Sequence, residues 1–136
     1  MELLYRDLTG TILDAAFKVH NYFRNGFLEK VYENALAHEL REQGVRCKQQ
    51  AALRVYYQHS VVVGEYVADL IVEDKIIIEL KAIETLKKVH LAQLLNYLKA
   101  TNYKLGLIIN FGQDKLEFRR VIFERENTPR PSALKK

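Results

Sequence analysis

A chain of 136 residues, 49% of them hydrophobic, has room for one domain with a real core and not for two ordinary ones. A single cysteine, Cys47, excludes an internal disulfide, and the absence of any apolar run of roughly eighteen residues or of a signal-like leader excludes a membrane span and predicts a cytoplasmic protein. The net charge of +4 is local: from Arg119 onward six basic residues face two acidic ones, while the rest of the chain balances at fifteen each, so charge alone argues little for nucleic acid.

In chain order, Leu8, Ile12, Ala15, Ala16, Val19, Tyr22 and Phe23 recur at helical spacing and predict a helix from about Tyr5 to Arg24, stopped by Asn25 and Gly26. A second helix runs from about Leu28 to Gln43, with Leu28, Val31, Tyr32, Ala35, Leu36 and Leu40 as its apolar stripe and Gly44 as its stop. The period then changes to two. Strands are expected at Cys47–Tyr57, Val61–Val63, Tyr66–Val72 and Lys75–Lys81, with hairpin loops at His59–Ser60 and Glu73–Asp74.

Helical spacing returns from Lys87 to Thr101, with Leu91, Leu94, Leu95 and Leu98 facing inward. Two closing strands, Lys104–Asn110 and Lys115–Phe123, flank a turn at Phe111–Asp114. Residues 1–123 thus read as one domain, and residues 124–136, with both prolines, as a disordered basic tail. A helix leaving one strand and returning to another is a crossover, so the fold class is α/β: a mixed β-sheet flanked by helices.

Chemistry concentrates in one stretch, VADLIVEDKIIIELKA, where an aliphatic strand carries Glu79 and Lys81. Side chains alternate faces along a strand, so Ile77, Glu79 and Lys81 share a face. Glu65, Val67, Asp69 and Ile71 likewise share one, opposite Tyr66, Ala68, Leu70 and Val72. With an odd number of residues in the hairpin loop, Asp69 and Glu79 stand opposite each other. Two carboxylates held together repel, and a hard divalent cation relieves that repulsion, because Mg²⁺ favours one or two carboxylates with waters and phosphate oxygens. The adjacent ammonium of Lys81 then suits metal-assisted phosphodiester hydrolysis. The other reading of the same residues is a surface ion pair between Lys81 and either acid.

Two helices add candidates. Glu29 falls angularly between Leu36 and Leu40, toward the protein interior. His90, Gln93 and Tyr97 form a polar stripe beside the leucine face of the third helix, and Lys87 and Lys88 stand at its start, where free backbone donors favour phosphate. The four histidines and Cys47 lack metal-ligand spacing, Cys47 reads as a structural thiol, and no glycine-rich phosphate loop is present.

Asp69 followed by Glu79-Leu80-Lys81 resembles the signature of the PD-(D/E)XK nuclease superfamily, and Gly26, Glu29 and Tyr32 spell GxxExxY, the motif that names a small group of prokaryotic proteins within it. The resemblance extends from about Tyr5 to Phe118, with Ala68 where the superfamily's proline stands. It implies a restriction-endonuclease-like core of the RecB-like branch. It further implies a Mg²⁺ or Mn²⁺ ion held by Asp69, Glu79, the backbone carbonyl of Leu80 and Glu29, and Lys81 as catalytic base or charge stabiliser. Substrate contacts are expected from Gln93, Tyr97, Lys87, Lys88 and Tyr32. The substrate class so implied is nucleic acid, DNA before RNA, with a homodimer or a larger complex needed to read a long site. A non-cleaving binding module and an accessory subunit of a defence or repair complex are the alternatives on the same fold.

Overall fold

The computed structural model describes residues 4–124. The expected tail, apart from Glu124, lies outside them. Helices α1 (Arg6–Phe23) and α2 (Glu29–Glu42) precede strands β1 (Cys47–Tyr57), β2 (Val61–Val72) and β3 (Ile76–Lys81). Helix α3 (Lys88–Thr101) then leads to β4 (Leu105–Asn110) and β5 (Glu117–Ile122).

The five strands lie in the order β1-β2-β3-β4-β5, antiparallel except for the parallel β3–β4 pair. That parallel pair follows from the α3 crossover, as the spacing predicts. The helices divide between the two faces. Ile12, Ala16 and Val19 of α1 and Leu36 and Leu40 of α2 bury against Leu70, Val72, Ile76, Ile78, Leu80, Leu107 and Ile109. On the other face Leu94 and Leu98 of α3 bury against Tyr66, Ala68, Ile71, Ile77 and Ile108. Each buried Val, Leu or Ile among them contributes about 1.5–3 kcal/mol. The layers make β4 buried along its whole length, the habit of a central strand covered on both sides.

Three expectations need correction. The segments Val61–Val63 and Tyr66–Val72 are one strand, because Gly64 pairs with Val55 and the ladder absorbs Val63 as an extra residue before Tyr56 pairs with Val62. Lys75 belongs to the turn, leaving three loop residues, Glu73–Lys75, of which Glu73 and Asp74 have φ 54°. The strict alternation along β2 also fails. Leu70 and Val72 enter the α1/α2 layer, whereas Tyr66 and Ala68 enter the α3 layer. The change falls at Asp69, beside Gln50 of β1, which holds φ 51° in mid-strand and so breaks the regular pleat.

Helix α3 sits close to the sheet because of Gly106: a Cβ there would stand 2.7–2.9 Å from the Leu94 side chain. That approach sets the wall of the site described next.

Candidate active site

The β2–β3 ladder pairs Val72 with Ile76, Ile71 with Ile77 and Leu70 with Ile78, and there it ends. In this register the next two residues are Asp69 and Glu79. Instead of continuing main-chain bonds, the strands part, and the Asp69 carboxylate enters the gap: its Oδ2 accepts the N–H of Leu80 at 2.8 Å. Its Oδ1 accepts Gln50 Nε2 at 3.3 Å. An odd, three-residue turn and a side chain replacing a ladder bond thus bring the two acids together.

Glu79 and Lys81 point toward α3, as alternation requires, into a cleft also lined by Tyr66, His90, Gln93 and Tyr97. The Tyr66 hydroxyl donates to Glu79 Oε2, and its ring stacks on Tyr97. Gln93 Nε2 donates to the Tyr97 hydroxyl at 3.2 Å. Burial pushes the Glu79 carboxyl up to about 7, with the Asp69 charge acting in the same direction against the Tyr66 hydrogen bond and Lys81. Burial and the neighbouring Glu79 likewise raise Tyr66, so the phenol stays a donor.

The helix acid is not the expected one. Glu29 points the predicted way around the α2 axis, but it is the first residue of the helix and lies exposed beyond the packed turns. The acid joined to Asp69 is Glu33, one turn later and 3% exposed. It accepts from Gln49 Nε2 and Gln50 Nε2, each at 2.8 Å, and from Lys30 Nζ at 3.3 Å. Gln50 donates to Glu33 and Asp69 alike. Glu33 lies on the stripe of Leu36 and Leu40, and an acid at that spacing was the available signal. Nothing in the strand pattern marked Gln50.

Tyr32 is also elsewhere than expected. It is fully buried, stacked on Phe111, with its hydroxyl donating to the Arg24 carbonyl at 2.5 Å and accepting the Phe27 N–H. It therefore ties down the α1–α2 connection, where Gly26 holds φ 114°, and cannot touch a substrate. Lys87 and Lys88 lie exposed at the start of α3, outside the cleft lining. The Lys87 N–H donates to His90 Nδ1 at 3.0 Å. An accepting Nδ1 leaves the Nε2 of a neutral imidazole protonated.

The far end of β3 is fixed by a buried amide. Asn110 stands beside Lys81 in the parallel ladder; its Oδ1 accepts the N–H groups of Ile83 and Gly112 at 3.0 Å, and its Nδ2 donates to the Ile83 carbonyl and Glu117 Oε1. Glu117 accepts the Leu86 N–H in turn. The loop from Lys81 to α3 is thereby held from both sides, which fixes Lys81 relative to His90, Gln93 and Tyr97.

The carboxylates and the carbonyl at the β2–β3 gap are oxygen ligands, with the imidazole of His90 on the α3 wall of the cleft, and such an oxygen set suits a hard divalent ion. Among the described residues no three His, Cys, Asp or Glu side chains converge tightly enough to enclose an ion. Two carboxylates with the remaining positions open to water and phosphate is the Mg²⁺ habit, and a Glu79 carboxyl raised by burial and by Asp69 is one that a cation would bring back down.

A sequence profile of the PD-(D/E)XK nuclease superfamily matches residues 6–121, and the chain belongs to that superfamily. Its mixed sheet flanked by helices is the restriction-endonuclease-like architecture of that group. In structure the chain is similar to the crystal structure of SSO0001, with a TM-score of 0.54 and 17% identity over 71% of this chain and 52% of that one. The chain spans about half the length of that protein, and the likeness concerns the fold. No curated protein matches the sequence. Among the described residues no helix is long and apolar enough to cross a membrane.

Proposed function

We propose that the chain is a divalent-metal-dependent nuclease that hydrolyses phosphodiester bonds, a GxxExxY protein of the RecB-like branch acting on DNA before RNA. The observation that carries this is the cleft in which Glu79 and Lys81 meet Gln93 and Tyr97, with Asp69 bonded to the intervening Leu80 N–H where β2 and β3 part. The preference for DNA rests on the RecB-like resemblance alone.

Asp69, Glu79 and the Leu80 carbonyl would hold Mg²⁺ or Mn²⁺, with Glu33 behind Asp69 through Gln50. When bound, the ion supplies Lewis acidity and lowers the pKa of a coordinated water. Lys81 at the same mouth acts in one of two forms: as the ammonium it stabilises the phosphorane-like charge, or as the neutral amine it takes up the proton of the attacking water. Gln93 and Tyr97, already hydrogen-bonded to each other, present amide and phenol donors to a phosphate. Lys87 and Lys88 add phosphate attraction from outside the cleft. Glu29 keeps a proposed part only as an outer acid.

The test is calorimetric titration of Mn²⁺ and Mg²⁺ into the wild type and an Asp69→Asn, Glu79→Gln double variant, with cleavage assays on single- and double-stranded DNA and RNA in the same buffers. Saturable binding lost in the variant, with metal-dependent cutting, is expected. A protein that neither binds the ions nor cuts would reduce Glu79 and Lys81 to charged residues on an inherited scaffold, Glu79 held by Tyr66.

A further inference from the structure

The cap of helix α3 is built from a histidine. Lys87 stands at the capping position with no side-chain acceptor to offer, and the first turn holds no acid. Its N–H donates instead to His90 Nδ1 at 3.0 Å, and the His90 N–H donates back to the Lys87 carbonyl at 3.0 Å. A glutamate or glutamine usually makes the first of these bonds from the same position. Glutamate would also suit the helix dipole. It would, however, add a carboxylate to the cleft that already holds Glu79. The imidazole closes the bond with one nitrogen, brings no negative charge, and keeps its other nitrogen for the cleft, which His90 lines with Lys81, Gln93 and Tyr97.

The bond at Nδ1 decides what the other nitrogen can do. A neutral imidazole that accepts at Nδ1 carries its proton on Nε2. Ligating a metal ion or taking up a proton through Nε2 requires the opposite tautomer, and giving a proton up as an acid requires the imidazolium. Both of those forms put a proton on Nδ1 and break the bond to Lys87. The role compatible with the cap is that of an N–H donor.

We infer that His90 donates through Nε2–H to a non-bridging oxygen of the phosphate in the cleft, one helical turn before Gln93 and on the face that carries Gln93 and Tyr97. This role rests on the nuclease reading for its ligand and occupies a residue which that reading leaves idle. Negative charge grows on the non-bridging oxygens as water attacks. A donor already held in place by its own helix cap strengthens its bond in that transition state without having to reorganise. Losing it therefore lowers kcat more than it raises KM.

Long-range proton–nitrogen correlation spectra of the free protein are expected to show His90 protonated on Nε2, and a single-stranded oligodeoxynucleotide added with Ca²⁺ is expected to shift that nitrogen and its proton. His90→Gln offers an acceptor to Lys87 and an amide donor to the cleft, whereas His90→Ala offers neither. In cleavage assays with Mn²⁺, His90→Ala is expected to lose about 10²-fold in kcat with KM within about threefold, and His90→Gln to return to within about tenfold of the wild type. A role confined to the cap would lower Tm in His90→Ala yet leave kcat, measured well below Tm, at the wild-type value; that result overturns the inference. A free protein with His90 protonated on Nδ1 does so too. If the protein cuts while Nε2 stays unmoved, the nuclease reading stands and the contact falls. If the oligonucleotide shifts Nε2 without being cut, the contact stands and the nuclease reading falls. A protein that neither binds the oligonucleotide nor cuts it overturns both.

Discussion

The carboxylate of Asp69 accepts the backbone N–H of Leu80, the residue between Glu79 and Lys81. One acid of the site is thus moored to the main chain that carries the other. Asp69→Asn retains an oxygen acceptor of the same shape and is expected to cost at most about 1 kcal/mol of stability while abolishing metal binding. Asp69→Ala leaves a half-buried N–H unpaired and is expected to cost about 1–3 kcal/mol. Urea unfolding of both variants without metal checks the difference; equal costs would mean that the bond does not hold the strands.

Glu79 makes the metal-free fold sensitive to pH. A carboxyl at about 7, against an ordinary 4.5, holds its proton more tightly folded than unfolded. Its contribution to stability is therefore complete below about pH 4.5 and lost as pH rises through 7. Thermal melts in EDTA are expected to show Tm of the wild type falling, relative to Glu79→Gln, between about pH 5 and pH 8. Added Mn²⁺ is expected to restore the wild type alone at the upper pH. Parallel pH profiles for the two proteins would remove this account of Glu79.

The two acids of α2 are expected to differ. Glu33→Gln disturbs the Gln50 bridge to Asp69 and is expected to weaken Mn²⁺ binding about tenfold, whereas exposed Glu29→Gln should leave it within twofold. Titration of the two variants side by side decides which acid serves the site; the reverse ranking would restore the motif's own glutamate to that place.

Lys81→Ala is expected to lower the cleavage rate by 10²–10⁴-fold while leaving Mn²⁺ affinity and Tm near those of the wild type. Single-turnover cleavage at saturating metal measures this directly. Undiminished cutting would remove Lys81 from the chemistry.

Tyr32→Phe keeps the stack on Phe111 and deletes two hydrogen bonds in the α1–α2 connection. About 1–2 kcal/mol of stability should go with them, and substrate affinity should not change. A loss of affinity at full stability would return Tyr32 to the substrate side.

Much of this architecture was legible because burial and period agree. The stripe of α1 apart from the exposed Tyr22, the Leu36–Leu40 face of α2 apart from the exposed Leu28, and the leucines of α3 sit where helical spacing puts them, and Glu79 with Lys81 follows from the alternation of one short, regular strand. What stayed hidden depends on departures from regularity. Angle around α2 favoured Glu29, but depth along the helix decides burial, and that depth is set by where the sheet ends. The exchange of faces at Asp69 and the bridging by Gln50 follow from a left-handed residue in mid-strand, which no β-propensity anticipates. The tyrosine of the GxxExxY motif, expected at a substrate through the resemblance alone, is a structural residue whose hydroxyl partners are loop carbonyl and amide groups.

The side-by-side placement of Lys81 and Asn110 has a consequence for assembly. The β1–β2–β3 meander is made of near neighbours in the chain and needs only short loop closures, but the lysine end of β3 gains its parallel neighbour only after α3 has been laid down and β4 has returned. The two acids can therefore meet early in folding, while the residue beside them is fixed last. A nascent chain that has not yet reached β4 holds Lys81 without its parallel neighbour, and that end of β3 closes with one of the later pairings of the fold.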